Sequence, residues 1–262
     1  MISSVRNPKV QALRALQRQA KRRAEAGAFV VEGTRLAEEA LKSGWQVRLA
    51  MYTQAFASQH AALIGELQAR RVAELVTEAV LKAASDTQTP QGVLLEVEQC
   101  DLPLPKPLDF ALVLDGVADP GNLGTLLRSA AAAGCSVVFL GPGCAEPFAP
   151  KVVRSGMGAH FLQPMRSLNW REIEGLLREN SLQVFVAEAR QGTSYDKEDL
   201  TQPLALILGG EARGSGEEAA RLRPKPIQIP MPGKVESLNV AVAGSVLLFE
   251  LVRQRSQKAA RL

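Results

Sequence analysis

The chain has 262 residues, of which 46% are hydrophobic and 22% are charged, with a net charge of +4. This composition is typical of a folded globular protein and excludes a largely disordered chain, and the length allows one large domain or two of ordinary size. Three cysteines without a CxxC pair and two histidines disfavour a disulfide framework, a zinc cluster and a histidine-based site, so we expect no bound metal.

The apolar segments are too short to span a bilayer. The longest, LNVAVAGSVLLFELV, is interrupted by Asn239 and Glu250. The first residues, MISSVRNPKVQALR, lack the apolar core of a secretory signal. We therefore expect a cytoplasmic protein with no membrane segment.

The positive charge is concentrated at the N-terminus. Residues 1–28 carry seven Lys or Arg against one acidic residue, Glu25, so this segment has a net charge of +6 and the remainder of the chain −2. A basic helix of this kind suits a nucleic-acid backbone, because bound cations release the counterions condensed on the phosphates. A solvated helix face explains the same charges equally well.

The first hundred residues alternate between helical and strand patterns. Apolar spacing predicts helices over 8–27, 34–44 and 58–71, and strands over 28–33, 47–53, 72–77 and 92–98. Gly27 and Gly44 are placed to end the first two helices, and Thr34 is a candidate N-cap for the second. This alternation predicts a small α/β or α+β domain over residues 1–100.

A proline-rich stretch, QCDLPLPKPLDF, follows, and its lack of periodicity predicts a linker at residues 101–108. Residues 109–262 form the second predicted domain. Strands are predicted over 110–117, 136–141, 183–189, 204–210 and 226–231, and helices near 122–133, 149–157, 169–180, 215–222 and 237–256. Several of these strands are apolar throughout, which predicts a parallel sheet covered by helices on both faces.

The last predicted helix is apolar on most of its faces and contains several small residues, among them Gly244. A helix of this kind has to be buried on more than one side. Packing within the domain and burial in a subunit interface both satisfy this requirement.

Isolated polar groups occur in three separated, mostly Gly- or Pro-rich segments of the second domain: NLGTLLR (122–128), GGEARG (209–214) and IPMPGKVESLNV (229–240). Two of these segments follow apolar strands, whose carboxyl ends are where open α/β sheets bind ligands. Each segment also has a purely structural explanation. Ser237 can cap the last helix, Glu211 can serve as a helix N-terminal charge or pair with Arg128, and Gly209 and Gly210 can form a plain turn.

Taken together, the three segments resemble the three sequence motifs of the SpoU family of RNA 2′-O-ribose methyltransferases, part of the SPOUT superfamily. The matching residues are Asn122, Gly124 and Arg128 in the first motif, Gly209, Glu211 and Gly214 in the second, and Pro230, Met231, Gly233, Ser237, Leu238, Asn239 and Val240 in the third. The resemblance covers about residues 108–256. The stretches NPKVQALRAL and FVVEGTRLAEEAL also resemble the small substrate-binding domain fused to many family members, which is related to ribosomal proteins that grip kinked RNA.

The resemblance implies an α/β fold with a C-terminal SPOUT methyltransferase domain tied in a trefoil knot and a small N-terminal α/β RNA-binding domain. It implies S-adenosylmethionine (SAM) as the cofactor, and homodimers whose active sites lie near the subunit interface. The cofactor-binding residues that it implies are Leu208, Gly209, Gly210, Ile229, Met231 and Leu238. The catalytic residues that it implies are Arg128, Asn122, Glu211, Ser237 and Asn239.

Arg128 is the residue that the family assigns to catalysis, with one suggested role as the base that removes the hydroxyl proton. A guanidinium stays protonated and has no free lone pair. We therefore expect Arg128 to clamp the target phosphate and stabilise the developing alkoxide. Asn122 and Asn239 would orient it, and Glu211 would hold this network in place.

The predicted function is SAM-dependent methyl transfer to a ribose 2′-hydroxyl of structured RNA. Ribosomal RNA is favoured, because tRNA members of the family typically lack this N-terminal domain. The alternatives are a tRNA 2′-O-methyltransferase and a non-catalytic RNA-binding protein of the same fold. A Rossmann-type nucleotide enzyme is disfavoured, because LDGVADPGNLG lacks G-x-G-x-x-G and nothing in the chain matches G-x-x-x-x-G-K-[ST].

Overall fold

The computed structural model of the protein describes residues 1–210, 214–233 and 235–260, so Glu211 lies outside the described residues. The chain forms two compact units. The first comprises Met1–Cys100 together with Glu146–Phe161, and the second comprises Asp101–Ala145 and the described residues from Leu162 onward. The predicted division into domains 1–100 and 109–262 with a linker at 101–108 stays a prediction. The two compact units have other bounds, because residues 146–161 belong with the first unit.

Helices and strands alternate along most of the chain. The helices are α1 (Pro8–Arg18), α2 (Ala20–Ala26), α3 (Thr34–Lys42), α4 (Gln54–Gln59), α5 (Ala61–Ala69), α6 (Glu78–Ala84), α7 (Pro120–Ala132), α8 (Pro150–Gly156), α9 (Trp170–Glu179), α10 (Glu217–Arg221) and α11 (Val240–Ala259). The strands are β1 (Ala28–Glu32), β2 (Val47–Tyr52), β3 (Ala73–Leu75), β4 (Val93–Glu98), β5 (Phe110–Asp115), β6 (Val137–Leu140), β7 (Met165–Ser167), β8 (Gln183–Ala187), β9 (Thr193–Ser194), β10 (Leu204–Gly209) and β11 (Lys225–Gln228). Within the described ranges, none of the helices has both the length and the apolar character that a membrane span requires.

The first unit is built on a mixed sheet with the strand order β1-β4-β2-β3. Strand β4 is antiparallel to both β1 and β2, whereas β3 is parallel to β2. Apolar residues of α1 and α6 pack on one face of this sheet, where Leu13 and Leu81 join Val30 in one buried cluster. The helical spacing of the N-terminal sequence is therefore explained by core packing.

The predicted helix over 8–27 is interrupted at Gln19, whose backbone is extended (φ −130°, ψ 113°). The break brings the guanidinium of Arg23, on α2, back to the end of α1, where it donates to the carbonyl oxygen of Leu16 at 2.5 Å. The same group donates to Glu146 through Nε at 2.8 Å. One of the seven N-terminal cations is therefore buried and structural, and it does not belong to a solvated or RNA-facing surface.

The predicted N-cap of α3 is wrong, because Thr34 is the first residue of the helix and Gly33 precedes it with φ 98°. The side chain of Gln91 takes over the capping, since its Oε1 accepts from the backbone nitrogen of Thr34 at 3.1 Å. A Cβ at position 33 would lie 2.7 Å from that oxygen. Gly33 is therefore required both by its backbone angle and by this contact.

The second unit is built on a parallel sheet with the strand order β7-β6-β5-β10-β8-β11-β9. The parallel arrangement predicted from the apolar strands is confirmed. Strand β10 lies between β5 and β8, so a late segment of the chain is inserted between two earlier strands. The trefoil knot itself stays a prediction.

Helices α7 and α11 pack against each other over the parallel sheet. The hydroxyls of Ser129 and Ser245 are 2.7 Å apart across this contact. A Cβ on Gly244 would lie 2.5 Å from Cδ2 of Leu126 and 2.6 Å from Cδ1 of Leu208. The small residues of the last helix therefore serve close packing within the unit.

His160 is a buried histidine of the first unit, and we expect its titration to make the stability of the protein depend on pH. His160 packs beside Phe29 and Phe148, and its Nε2 donates to the carbonyl oxygen of Pro147 at 2.7 Å. Its Nδ1 has no hydrogen-bond partner in the described part of the chain. Burial lowers the pKa of His160 from 6.5 to about 4.

The unfolded chain takes up a proton near pH 6.5, whereas the folded chain does so only near pH 4. We therefore expect His160 to make the free energy of unfolding fall by about 1.4 kcal/mol per pH unit as the pH drops through this window. Urea denaturation at a series of pH values should show a flatter dependence for His160→Phe than for the wild type. His60→Phe should keep the wild-type slope, and equal slopes for wild type and His160→Phe would contradict the assignment.

Candidate active site

Three stretches of backbone come together at the carboxyl end of β10. The backbone nitrogen of Gly210 donates to the carbonyl oxygen of Asp115 at 2.7 Å. A Cβ on Gly209 would lie 2.1 Å from the carbonyl carbon of Gly214, and a Cβ on Gly210 would lie 2.3 Å from the carbonyl oxygen of Gly116. Any side chain at these positions would collide with backbone atoms. The second motif therefore needs glycines here, because neighbouring stretches of backbone are in direct contact.

A cavity of about 470 Å³ opens beside these glycines. Its lining includes all of the residues predicted to bind the cofactor, namely Leu208, Gly209, Gly210, Ile229, Met231 and Leu238. Ser237 and Asn239 of the predicted catalytic set also line it. The volume lies within the range of roughly 300–1,000 Å³ that is usual for small-molecule sites.

Asn239 connects the third motif to the first. Its Oδ1 accepts from the backbone nitrogens of Ala241 at 2.9 Å and Val242 at 3.2 Å, so Asn239, and not Ser237, is the N-cap of α11. Its Nδ2 donates to Oδ1 of Asn122 at 3.0 Å. Both ends of this amide, which lies at the start of an apolar helix, are therefore hydrogen-bonded.

Arg128 lies on α7 and is exposed. It follows Asn122 by six residues, and at about 100° per residue the two side chains leave different faces of the helix. In the described part of the chain the guanidinium makes no hydrogen bond or ion pair, and a pair with Glu211 lies outside those residues. Neither Arg128 nor Asn122 lines the cavity, and Asn122 is joined to it through Asn239.

The sequence motifs miss the contribution of β8 to the cavity. Ala187, Glu188 and Ala189, at the carboxyl end of this strand, all belong to the lining. The carboxylate of Glu188 accepts a hydrogen bond from Oγ of Ser215 at 3.2 Å. The sequence pointed to these residues only through their place at the end of a predicted parallel strand, because the carboxyl ends of neighbouring parallel strands meet at one edge of a sheet.

The cysteines of the second unit are unsuited to nucleophilic chemistry. Burial raises the pKa of the Cys135 thiol to about 12. Burial also raises the pKa of the Cys144 thiol, which donates to the carbonyl oxygen of Leu114 at 3.2 Å. Since the thiolate is the reactive form, neither group is a candidate nucleophile at neutral pH.

The lining fits a ligand that combines a flat apolar part with a few polar groups. Eight of the sixteen lining residues are leucine, isoleucine or alanine, and three are glycine. Glu188 is the one ionisable side chain among the described lining residues. SAM has this character, since an adenine ring, a ribose diol and a charged methionine part are joined in one molecule. The residues present therefore fit this cofactor.

Family models match both parts of the chain. The model of the SpoU rRNA methylase family matches residues 109–249. The model of the MRM3-like substrate binding domain matches residues 7–95.

Individual relatives match over nearly the whole chain. The 23S rRNA (guanosine(2553)-2′-O)-methyltransferase RlmP of Bacillus subtilis is 33% identical over 254 residues, covering 95% of this chain and 98% of that protein. The crystal structure of an AdoMet-bound rRNA methyltransferase from Sinorhizobium meliloti superposes with a TM-score of 0.84 at 34% identity, covering 96% of this chain and 97% of the other. The SpoU methyltransferase AviRb of Streptomyces viridochromogenes, in complex with AdoMet, gives a TM-score of 0.85 at 28% identity, covering 96% and 99%.

The two bonds of Asn239 can be separated by substitution. Asn239→Ala removes both the cap of α11 and the bond to Asn122, so we expect the free energy of unfolding to fall by about 1 kcal/mol. Asn239→Ser keeps a capping oxygen but is too short to reach Asn122, so it should retain most of that stability. Chemical denaturation measures both, and equal losses for the two variants would show that the cap contributes nothing.

Proposed function

Since the chain belongs to the SpoU rRNA methylase family, we propose that it transfers a methyl group from SAM to a ribose 2′-hydroxyl of ribosomal RNA. The observation that carries this proposal is the convergence of the second and third motifs on one cavity, to which Asn239 joins the first motif through Asn122. The proposed cofactor site is the lining formed by Leu208, Gly209, Gly210, Ile229, Met231 and Leu238.

SAM brings an activated methyl group on a sulfonium, so the protein has to supply position and electrostatics. Gly209 and Gly210 line the cavity and have no side chain, so only their backbone can contact a ligand. Asn239 is held by its cap and by Asn122, so its orientation is fixed. Such rigidity favours a reaction that depends on alignment.

Arg128 is the proposed contact with the substrate. Its guanidinium is exposed and makes no bond to the described part of the chain, so it is available to an RNA phosphate. A bidentate charge-assisted pair would hold the target nucleotide, and the same cation would stabilise the oxygen that becomes negative as the hydroxyl loses its proton. Glu211 and Ser237 complete the proposed catalytic set.

Ribosomal RNA is the proposed substrate because two relatives with a named nucleotide target, from Bacillus subtilis and Streptomyces viridochromogenes, act on 23S rRNA and match this chain almost from end to end. The first unit would bind the RNA, in keeping with its match to a substrate-binding domain. Its exposed cations include Arg18, Lys21 and Arg22. The cytoplasm is the proposed place of action, in keeping with the bacterial relatives that this chain matches over nearly their whole length.

A homodimer is the proposed assembly. Val242, Val246 and Phe249 are 50%, 37% and 49% exposed and follow one another at helical spacing along one side of α11. An exposed apolar stripe of this kind is typical of a protein interface. The opposite side of α11 is already packed, at Gly244, against Leu126 and Leu208, so the helix would be buried on both sides in a dimer.

The activity is tested by transfer of labelled methyl groups from SAM to rRNA and tRNA isolated from cells that lack the protein. We expect incorporation into rRNA, at a 2′-O-methylribose. Arg128→Ala should lower the rate about 10²- to 10³-fold while binding of S-adenosylhomocysteine is retained, because the lost interaction is with the transition state. Arg128→Lys should recover only part of the rate, since a bidentate contact is lost.

Arg178→Ala is the matched control, because Arg178 is an exposed arginine of α9 that pairs with Glu174 on its own helix. Its rate should equal that of the wild type. Incorporation into tRNA alone would favour the tRNA alternative. Absence of incorporation above the Arg128→Ala level would favour a non-catalytic RNA-binding protein.

The dimer is tested by adding charge to the exposed stripe. Val246→Glu and Phe249→Glu should each shift the protein from dimer to monomer, because a desolvated carboxylate at the interface is costly. Light scattering after gel filtration measures the mass. Ala259→Glu adds the same charge to an exposed position of α11 off the stripe and should stay dimeric; a monomeric wild type would contradict the proposal.

A further inference from the structure

We propose that Glu188 is a positioning residue for the cofactor, and that its carboxylate accepts hydrogen bonds from the ribose hydroxyls of the adenosine part. This inference rests on the proposed function, because it concerns the SAM site. It adds to that site a residue outside the three sequence motifs.

The first step of the argument is the isolation of this carboxylate. Glu188 is half-buried and lines a cavity whose other described side chains are apolar or uncharged. The structure gives its side chain one bond, from Oγ of Ser215 to Oε1. No described cation pairs with it, so most of its hydrogen-bonding capacity is open to a ligand. A partly desolvated carboxylate is stabilised when such capacity is used.

The second step is the strand order. Strand β10 separates β8, which ends beside Glu188, from β5, which leads into α7 and Asn122. Adjacent strands are about 4.8 Å apart, so the ends of β8 and β5 are about 10 Å apart. The Asn122–Asn239 pair joins α7, which follows β5, to the cavity. Glu188 therefore lies at the end of a different strand from the one that leads to the asparagine pair.

The third step is the chemistry of the ligand. Away from its reacting end, SAM offers the adenine ring and the ribose diol, and of these the diol presents two hydroxyl donors side by side. A carboxylate is an acceptor with two oxygens and matches this pair. The backbone of Glu188 is held in place, since its nitrogen donates to the carbonyl oxygen of Ile227 at 2.9 Å. The backbone that carries the acceptor is therefore in place before the ligand arrives.

The experiment measures binding by calorimetry with two probes that share the diol, S-adenosylhomocysteine and 5′-methylthioadenosine. The second probe lacks the amino-acid part. Glu188→Ala should weaken both by about the same factor, on the order of 10- to 100-fold, because hydrogen bonds to a charged acceptor are lost. Ser215→Ala is the matched control: it removes the internal bond and keeps the carboxylate, so affinity should stay close to that of the wild type.

Each contrary result has a distinct meaning. Weaker binding of S-adenosylhomocysteine with unchanged binding of 5′-methylthioadenosine would overturn the inference in favour of the amino-acid part. Unchanged binding of both probes would show that the carboxylate makes no contact and would also overturn the inference. If Glu188→Ala lowers the melting temperature, Glu188→Gln serves instead because it preserves the side-chain volume. It should show a smaller loss of affinity, equal for both probes. A wild type that binds none of the probes would instead refute the proposed function.

Discussion

The direct packing of backbone on backbone at the carboxyl end of β10 is the constraint on which the rest of the site depends. Gly209 and Gly210 lie so close to Gly214 and Gly116 that neither position has room for a Cβ. This closeness holds the turn after β5 against the segment that follows β10. Both glycines also line the cavity, so backbone is all that they offer to a ligand there. One steric fact thus determines both the path of the chain and the surface offered to a ligand.

Asn239 is both the cap of a helix and the link between two sequence motifs. Its oxygen caps α11 and its amide nitrogen binds Asn122, so the start of the longest helix in the described chain is also the connection between two motifs. The helix is in turn held at Gly244 against Leu126 and Leu208. A shift of α11 would therefore change the distance between Asn239 and Asn122. Close packing at the small residue and the polar cap both hold the helix in position.

Much of the site could be predicted from the sequence because its residues lie in short motifs with fixed spacing. The residues expected to bind the cofactor all line one cavity, and the parallel sheet follows from strands that are apolar throughout. What could not be predicted depends on distant contacts. The backbone at Gln19 interrupts a helix that the local apolar spacing favours. Arg23 is buried and forms a hydrogen bond with Glu146, which lies far along the chain. Glu188 belongs to the cavity only because β10 is inserted beside β8, and no local pattern encodes strand order.

The membership of residues 146–161 in the first unit has a consequence for any attempt to divide the protein. Phe148, His160 and Phe161 supply aromatic rings that contact Phe29 and Trp45. A fragment ending at residue 100 would lack all three and would leave part of its interior open to water. A division at the proline-rich stretch would therefore yield an incomplete first unit, because residues 146–161 have to be present for that unit to be whole.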